Sequence, residues 1–301
     1  MAAPADLVLQ PGGLVRAGLP VVNFVLMLGI GMALAARDFM RVAARPRGLL
    51  LGVAGHYLAL PLIGLCFALL FASSYELAVG FILLAASPSA NSSNALTWLA
   101  RGNLALAVSL TAASSLLTLL TIPLLTGAAL QLFAGQAQPI VLPVRQMTVH
   151  LALLVLLPLL LGMSARQLWP GACRRLEPWL NRASMSLLLL LIVLIVVDQW
   201  HVLKPWMGRL ALATTAMCVL AMLAGGALAR LGRLDRQDTV TLSLEVGVQN
   251  CTLAFLIAYN VLQSATVGMP AAVYGVTMYF VAFAFVLASR LRQAGARAAA
   301  A

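Results

Sequence analysis

The sequence predicts an all-α polytopic membrane protein with about nine transmembrane helices, two of them broken at membrane depth. Two observations support this fold class. Of the 301 residues, 62% are hydrophobic and only 9% are charged, whereas a soluble domain has about a quarter of its residues charged. Apolar runs of the ~20 residues that cross a bilayer recur between residues 19 and 291. The lengths of these runs indicate helices and not the short alternating strands of a membrane barrel.

Nine segments of the chain are expected to cross the membrane. Short stretches with Pro, Gly and Arg separate them, as is typical of loops and turns. The predicted spans are residues 19–36, 48–71, 76–100, 103–131, 146–165, 183–200, 206–229, 238–262 and 270–289.

The basic residues test this number of spans, because cytoplasmic loops carry an excess of Lys and Arg. With the N-terminus outside, only four of the nineteen basic residues fall on the outer side, namely Arg16, Arg145, Lys204 and Arg209. The other fifteen fall inside. The charges therefore predict a multi-pass protein of the inner (plasma) membrane, with its C-terminus in the cytoplasm. They do not indicate nucleic acid, since no basic stripe alternates with aromatic residues.

Glu245 is the only one of the eight acidic residues that lies well inside a predicted span. An ionisable group at the bilayer centre costs about 2.5–3.5 kcal/mol on insertion scales, so it persists where it faces a cavity, a partner or an ion. Gln249 lies four residues later on the same helix face, and Gly247 between them can loosen the helix. Amides alone could serve only to join helices, but this combination, with Asn250, favours a functional site.

A second polar run, from Ser87 to Asn94, interrupts the predicted span 76–100 and contains Pro88. Irregular backbone at membrane depth occurs only where protein buries it or where it lines a cavity. A surface loop at this place would move Arg101 to the wrong side, so we expect a broken helix instead. Broken spans in both halves of a chain are typical of secondary transporters. Their half-helix N-termini suit an anionic substrate, and the freed carbonyls suit a small cation.

One other class of function remains open at this point. An ion channel or leak pathway could use the same polar residues. An enzyme is not expected, because the sequence contains no His-Glu-x-x-His motif, no Gly-x-Ser-x-Gly motif and no paired carboxylates at membrane depth. No cofactor and no metal other than sodium is expected.

Three segments resemble the bile acid:sodium symporter family, specifically its nine-span bacterial members. The run EVGVQN, from Glu245 to Asn250, resembles the family's E-x-G-x-Q-N signature. The run SNALTWLARGN, which begins at Ser93, resembles its other crossing helix. The run GIGMAL, which begins at Gly29 and leads to Asp38-Phe39, resembles its first conserved helix. The resemblance extends in order from about residue 22 to 289. It implies that the chain is a sodium-coupled symporter of an organic anion.

The resemblance also implies how residues 1–301 are arranged as a single transporter unit. A core domain would contain the spans within 48–131 and 206–289, with the two broken helices crossing in it. A smaller panel domain would contain the spans within 19–36 and 146–200.

The resemblance further implies two sodium sites and a substrate contact. The implied first site has Ser93, Asn94, Thr111 and Glu245, and the second has Glu245, Gln249 and the carbonyls of Val246 and Val248. The implied substrate contacts are Asn250 and Tyr279. Bile acids, pantoate-like acids and keto acids are all compatible substrates, and the oligomeric state is not predicted.

Two positions depart from the family's sodium ligands. Ala107 stands where the family has a serine hydroxyl, and His56 stands where it has a glutamine. Sodium requires several oxygen ligands, and neither residue supplies one. We therefore expect weakened sodium coupling, or its partial replacement by protons with His56 or Glu245 titrating.

Overall fold

The computed structural model describes residues 46–134, 157–198 and 200–298, with isolated helical positions between 21 and 32 and at 149 and 153. The predicted span 19–36 and the first half of the span 146–165 lie largely outside the described residues, whereas residues 157–165 are helical. The described ranges are helical, and their one extended feature is a bridge between Ser89 and Gln249. The elements are α1 (Pro46–Ala54), a π-helical turn (Gly55–Ala59), α2 (Leu60–Leu70), α3 (Tyr75–Ala86), α4 (Asn91–Leu99), α5 (Leu104–Phe133), α6 (Leu157–Leu168), α7 (Pro170–Asp198), α8 (Trp200–Leu231), α9 (Arg236–Gly247), α10 (Cys251–Asn260) and α11 (Ala265–Ala298).

Four helical segments among the described residues are long and apolar enough to cross a membrane. They are Pro46–Leu70, Leu104–Phe133, Trp206–Leu231 and Ala265–Gln293. Each coincides with a span predicted from the sequence, and large apolar side chains cover their outer faces. The prediction of a helical, multi-pass membrane protein is confirmed.

Helices α7 and α11 begin before the predicted spans 183–200 and 270–289, and each contains a proline near its start. Helix α7 begins at Pro170, well before the expected start at residue 183, because proline suits the first turn of a helix. Helix α11 begins at Ala265 and contains Pro270. The Pro270 ring packs against Gly80 of α3, where an added Cβ would lie 2.9 Å from the ring. The missing side chain at Gly80 thus makes room for this proline.

The two predicted helix breaks are confirmed, and they face each other. Residues 87–90 separate α3 from α4, and residues 248–250 separate α9 from α10. The Ala90 N–H donates to the Val248 carbonyl at 3.0 Å, and the Asn250 N–H donates to the Pro88 carbonyl at 2.8 Å. The first break is shorter than the expected 87–94, because α4 already begins at Asn91.

Side chains of α11 satisfy carbonyl groups that the broken helices leave free. The Tyr274 hydroxyl donates to the Gly247 carbonyl at 2.8 Å, where α9 ends. At the other end of the fold, Arg290 and Gln293 donate to the carbonyls of Leu99 and Ala100, where α4 ends. Buried helix ends need such partners, so α11 fixes both broken helices in place.

The sequence did not predict the π-helical turn between α1 and α2. Its Leu60 N–H donates to the Gly55 carbonyl five residues earlier, which adds one residue to the turn. Such turns often occur at functional sites. Here the turn contains His56, the residue that departs from the family pattern.

Two glycines of α8 provide a matched test of this packing. An added Cβ at Gly225 would collide with the Leu242 backbone of α9, whereas one at Gly208 would meet nothing within 4 Å. We expect Gly225→Ala to lower the free energy of unfolding by about 1–3 kcal/mol, because the helices must separate. Gly208→Ala should be neutral or raise it by up to about 1 kcal/mol through helix propensity. Denaturant titration of the detergent-purified protein measures both, and equal effects would contradict the close contact of α8 and α9.

Candidate functional site

Glu245 lies at the centre of the crossing, on the last turn of α9, with 0% of its surface exposed. Thr111 of α5 donates to Glu245 Oε2 at 3.0 Å. Ser93 of α4 donates to Glu245 Oε1 through a very short hydrogen bond. None of the described Lys, Arg or His side chains pairs with this carboxylate. Three elements therefore position the acid, but its charge has no cationic partner among the described residues.

The Ser93 hydroxyl is surrounded by oxygen atoms. Besides Glu245, it lies 2.7 Å from the Ala90 carbonyl and 3.0 Å from the Ser89 hydroxyl. A serine hydroxyl has one proton and can donate to only one acceptor at a time. The Ala90 carbonyl also accepts from the Ser93 N–H at 3.0 Å, so the Ser93 hydroxyl proton is available to Glu245.

Asn94 adds a further acceptor to the cluster. Its Nδ2 donates to the Thr111 hydroxyl at 3.3 Å, while its Oδ1 is buried without a hydrogen-bond partner. A buried acceptor without a donor costs about 1–3 kcal/mol. Glu245, Ser93, Thr111 and Asn94 thus form a cluster that has one formal negative charge and more acceptors than donors. Such a set of oxygens suits a hard cation.

The residues implied for the second sodium site have different surroundings. The Val246 carbonyl accepts from Gln249 Nε2 at 2.7 Å. The Val248 carbonyl accepts from the Ala90 N–H at 3.0 Å and lies 3.4 Å from the Ser89 hydroxyl. Both backbone oxygens therefore already have donors within the protein. Gln249 Oε1 is buried and has no partner.

His56 lies beside this glutamine. The π-helical turn brings its ring against the Gln249 side chain, and only 3% of the residue is exposed. Its Nε2 has no hydrogen-bond partner. The His56 and Gln249 side chains thus lie next to each other, without a hydrogen bond of full geometry at His56 Nε2 or Gln249 Oε1, where the family resemblance implies a second cation.

The Asn250 side chain and the hydroxyl of Tyr279 from α11 lie at the N-termini of α10 and α4, respectively. Asn250 caps α10, since its Oδ1 accepts from the Leu253 N–H at 3.1 Å, and this cap leaves its amide nitrogen to donate elsewhere. The Tyr279 hydroxyl lies 3.1 Å from the Ser92 hydroxyl in the first turn of α4. No side chain caps α4.

Sequence reasoning missed two residues that organise the site. Ser89 contacts Ser93, and its N–H donates to the Ser114 hydroxyl at 3.3 Å. Tyr274 is fully buried and binds the Gly247 carbonyl. A tyrosine in an apolar span needs a partner for its hydroxyl, which was an available signal for Tyr274. For Ser89 the sequence shows only a polar run, and its register depends on the pairing of the two breaks.

Known proteins with similar sequences include transporters of plants and bacteria. Rice (Oryza sativa subsp. japonica) has a similar protein described as a probable sodium/metabolite cotransporter BASS2, chloroplastic, which is 30% identical over 84% of this chain and 59% of its own length. Arabidopsis thaliana BASS6, described as probable sodium/metabolite cotransporter, is 28% identical over 89% of this chain and 66% of its own length. YocS of Bacillus subtilis (strain 168), described as an uncharacterized sodium-dependent transporter, is 29% identical over 78% of this chain and 71% of its own length.

This chain therefore spans about three fifths to two thirds of the length of the two plant relatives. A family model described as the Sodium Bile acid symporter family matches residues 20–206. That range includes the first broken helix, with Ser93 and Asn94, and Thr111 of α5. The chain belongs to the Sodium Bile acid symporter family.

Proposed function

We propose that this protein is a secondary active transporter that couples the movement of a small organic anion to sodium. The observation that carries the proposal is the fully buried carboxylate of Glu245, which is surrounded by oxygen atoms and lacks a cationic partner among the described residues. A bound cation would balance its charge. The transporter names of the relatives and of the family support transport and not an enzymatic reaction.

The proposed architecture has nine spans, with the N-terminus outside and the C-terminus in the cytoplasm of an inner (plasma) membrane. The core domain would contain the spans of residues 48–131 and 206–289. Contacts between the two halves of this proposed core support it, since α9 packs on α4 and α5 while α11 packs on α3. The panel would contain residues 19–36 and 146–200.

The first sodium ion is proposed to bind Glu245, Ser93, Thr111 and Asn94. The unpaired Asn94 Oδ1 supports this assignment, because it gains a partner when a cation enters. Ala107, buried one turn before Thr111, adds no oxygen. We propose that this site binds sodium with fewer protein ligands than the family pattern provides.

The second sodium site is proposed to be weak or absent. The carbonyls of Val246 and Val248 already accept hydrogen bonds, and His56 offers nitrogen in place of oxygen. This observation favours a second candidate function, a proton-coupled organic-anion carrier, in which a proton replaces one sodium ion. The enclosed position of Glu245 supports a carrier over an open channel.

The anion is proposed to bind between the N-termini of α4 and α10. Helix N-termini attract negative charge through their free N–H groups. The amide nitrogen of Asn250 and the hydroxyl of Tyr279 lie at these termini and can donate to a carboxylate. A bile acid, a hydroxy acid such as pantoate and a keto acid such as pyruvate remain the candidate substrates.

Sodium should stabilise the purified protein by mass action. We expect sodium chloride, and not choline chloride at equal ionic strength, to raise the melting temperature. Glu245→Gln should abolish this rise because it removes the charge while preserving the shape of the side chain. Thr111→Val should weaken sodium affinity about tenfold, roughly 1.4 kcal/mol, since it removes one of the few oxygen ligands of the ion.

Thr126→Val is the matched control for this experiment. Thr126 lies on the same helix, is fully buried and has an unpartnered hydroxyl, about 22 Å further along at ~1.5 Å per residue. Its replacement should leave the sodium response unchanged. A normal sodium response in Glu245→Gln would refute the proposed site.

Transport itself is tested in vesicles with taurocholate, pantoate and pyruvate as labelled probes. An inward sodium gradient, with the pH clamped, should drive accumulation of at least one of them. Accumulation driven by a pH gradient in the absence of sodium would favour the proton-coupled carrier. Flux that never exceeds equilibration and does not saturate would favour a channel and contradict both proposals.

Replacing His56 should change the number of sodium ions that act. We expect His56→Gln to place an oxygen beside Gln249 and to make transport depend more steeply on sodium concentration, with the Hill coefficient rising from about 1 towards 2. His56→Ala, which adds no ligand, should leave the coefficient near 1. An unaltered coefficient in both variants would show that His56 does not occupy a cation position.

A further inference from the structure

A cleft of about 630 Å³ lies away from Glu245, between α8, α9 and α11. It contains three arginines: Arg230 at the end of α8, Arg236 at the start of α9 and Arg292 near the end of α11. None of the described residues that line it is acidic. The cleft is therefore strongly positive at the end of the fold where these three helix termini meet.

The rest of the cleft is apolar. Val219 and Leu223 line it on α8, and Val281 and Phe285 line it on α11. Val219 lies eleven residues before Arg230 in α8, which is about 16 Å at ~1.5 Å per residue. That length is close to half of the ~30 Å hydrocarbon layer. The cleft thus has a charged end and an apolar part about as long as one leaflet is deep.

Ser289 provides an independent sign that a polar group binds here. It lines the cleft with 8% of its surface exposed, and its hydroxyl has no hydrogen-bond partner. Its carbonyl accepts from Arg236 at 3.3 Å, so the hydroxyl lies close to the arginine end. A buried hydroxyl without a partner is costly, and a ligand oxygen at this place would satisfy it.

We propose that this cleft binds an anionic phospholipid, with its phosphate at Arg230, Arg236 and Arg292 and one acyl chain along the apolar part. Arginine matches phosphate in charge and in the geometry of its donors. Basic pockets between transmembrane helices suit the headgroups of anionic lipids. The apolar part distinguishes this occupant from a free phosphate or a small carboxylate, which would leave it unfilled. The inference does not depend on what the protein transports.

Phosphatidylglycerol is the probe, and phosphatidylcholine with the same acyl chains is the comparison. With the full chain in detergent, and without sodium or organic anion, phosphatidylglycerol should raise the melting temperature and phosphatidylcholine should not. Glycerol 3-phosphate and inorganic phosphate should have no effect, because neither fills the apolar part. Equal stabilisation by both lipids, or by phosphate alone, would overturn the proposal.

Variants test the arginines individually. Arg230→Gln and Arg292→Gln should each weaken phosphatidylglycerol binding about fivefold, as expected for one basic residue facing an anionic headgroup. Arg292→Lys, which keeps the charge, should lose less. Arg233→Gln is the control, since Arg233 is exposed in the neighbouring turn and does not line the cleft. An effect of Arg233→Gln as large as that of Arg292→Gln would contradict a specific site.

A measurement on the unmodified protein keeps the test valid if a variant fails to fold. Native mass spectrometry should detect bound phosphatidylglycerol that dissociates as potassium chloride is raised, because salt screens contacts with phosphate. Retention of the lipid independent of salt would indicate apolar binding only and would overturn the role of the arginines. Displacement of the lipid by taurocholate, pantoate or pyruvate would instead make the cleft part of the substrate path.

Discussion

The pairing of the two helix breaks is the interaction on which the rest of the site depends. A break at membrane depth exposes N–H and C=O groups that lipid cannot satisfy, at several kcal/mol each. Here each break satisfies the other, through Ala90 with Val248 and Asn250 with Pro88. The same pairing sets the distance between α4 and α9. As a result, Ser93 meets Glu245 although 152 residues separate them in the chain.

Helix α5 extends this arrangement through a polar face. Thr111, Ser114 and Thr118 are spaced three and four residues apart and so share one side of the helix. Thr111 binds Glu245, and Ser114 binds the backbone of the first break. The Thr118 hydroxyl lies 3.3 Å from the hydroxyl of Tyr57 in the π-helical turn. The acid, the break and the turn are therefore held by one helix face. A substitution at any of the three positions would disturb the contacts made by the other two.

The sequence predicted the features that have a high free-energy cost in lipid. It did not predict the features that depend on contacts between residues distant in the chain. Burial of Glu245 and of the polar run at Pro88 in lipid is unfavourable, so both breaks could be located from the positions of these polar residues. The early starts of α7 and α11 could not be predicted, and the tolerance of Pro270 depends on Gly80, a residue distant in sequence. The π-helical turn has no pattern of its own. The hydrogen bond to the Val248 carbonyl could not be predicted either, since its donor Ala90 lies in the other break, far away in the sequence.

The π-helical turn determines how α1 is rotated relative to α2, which no single side chain could do. Each α-helical residue turns the chain by about 100°, so the additional residue between Gly55 and Ala59 rotates α1 relative to α2 by that angle. The rotated face of α1 carries Gly48 and Gly52, whose Cα atoms adjoin Leu106 and Leu110 of α5. The number of residues in this turn, and not only their identity, thus aligns α1 with α5 while directing His56 towards Gln249. With one residue more or fewer in this turn, α1 could not pack on α5 while His56 also faces Gln249.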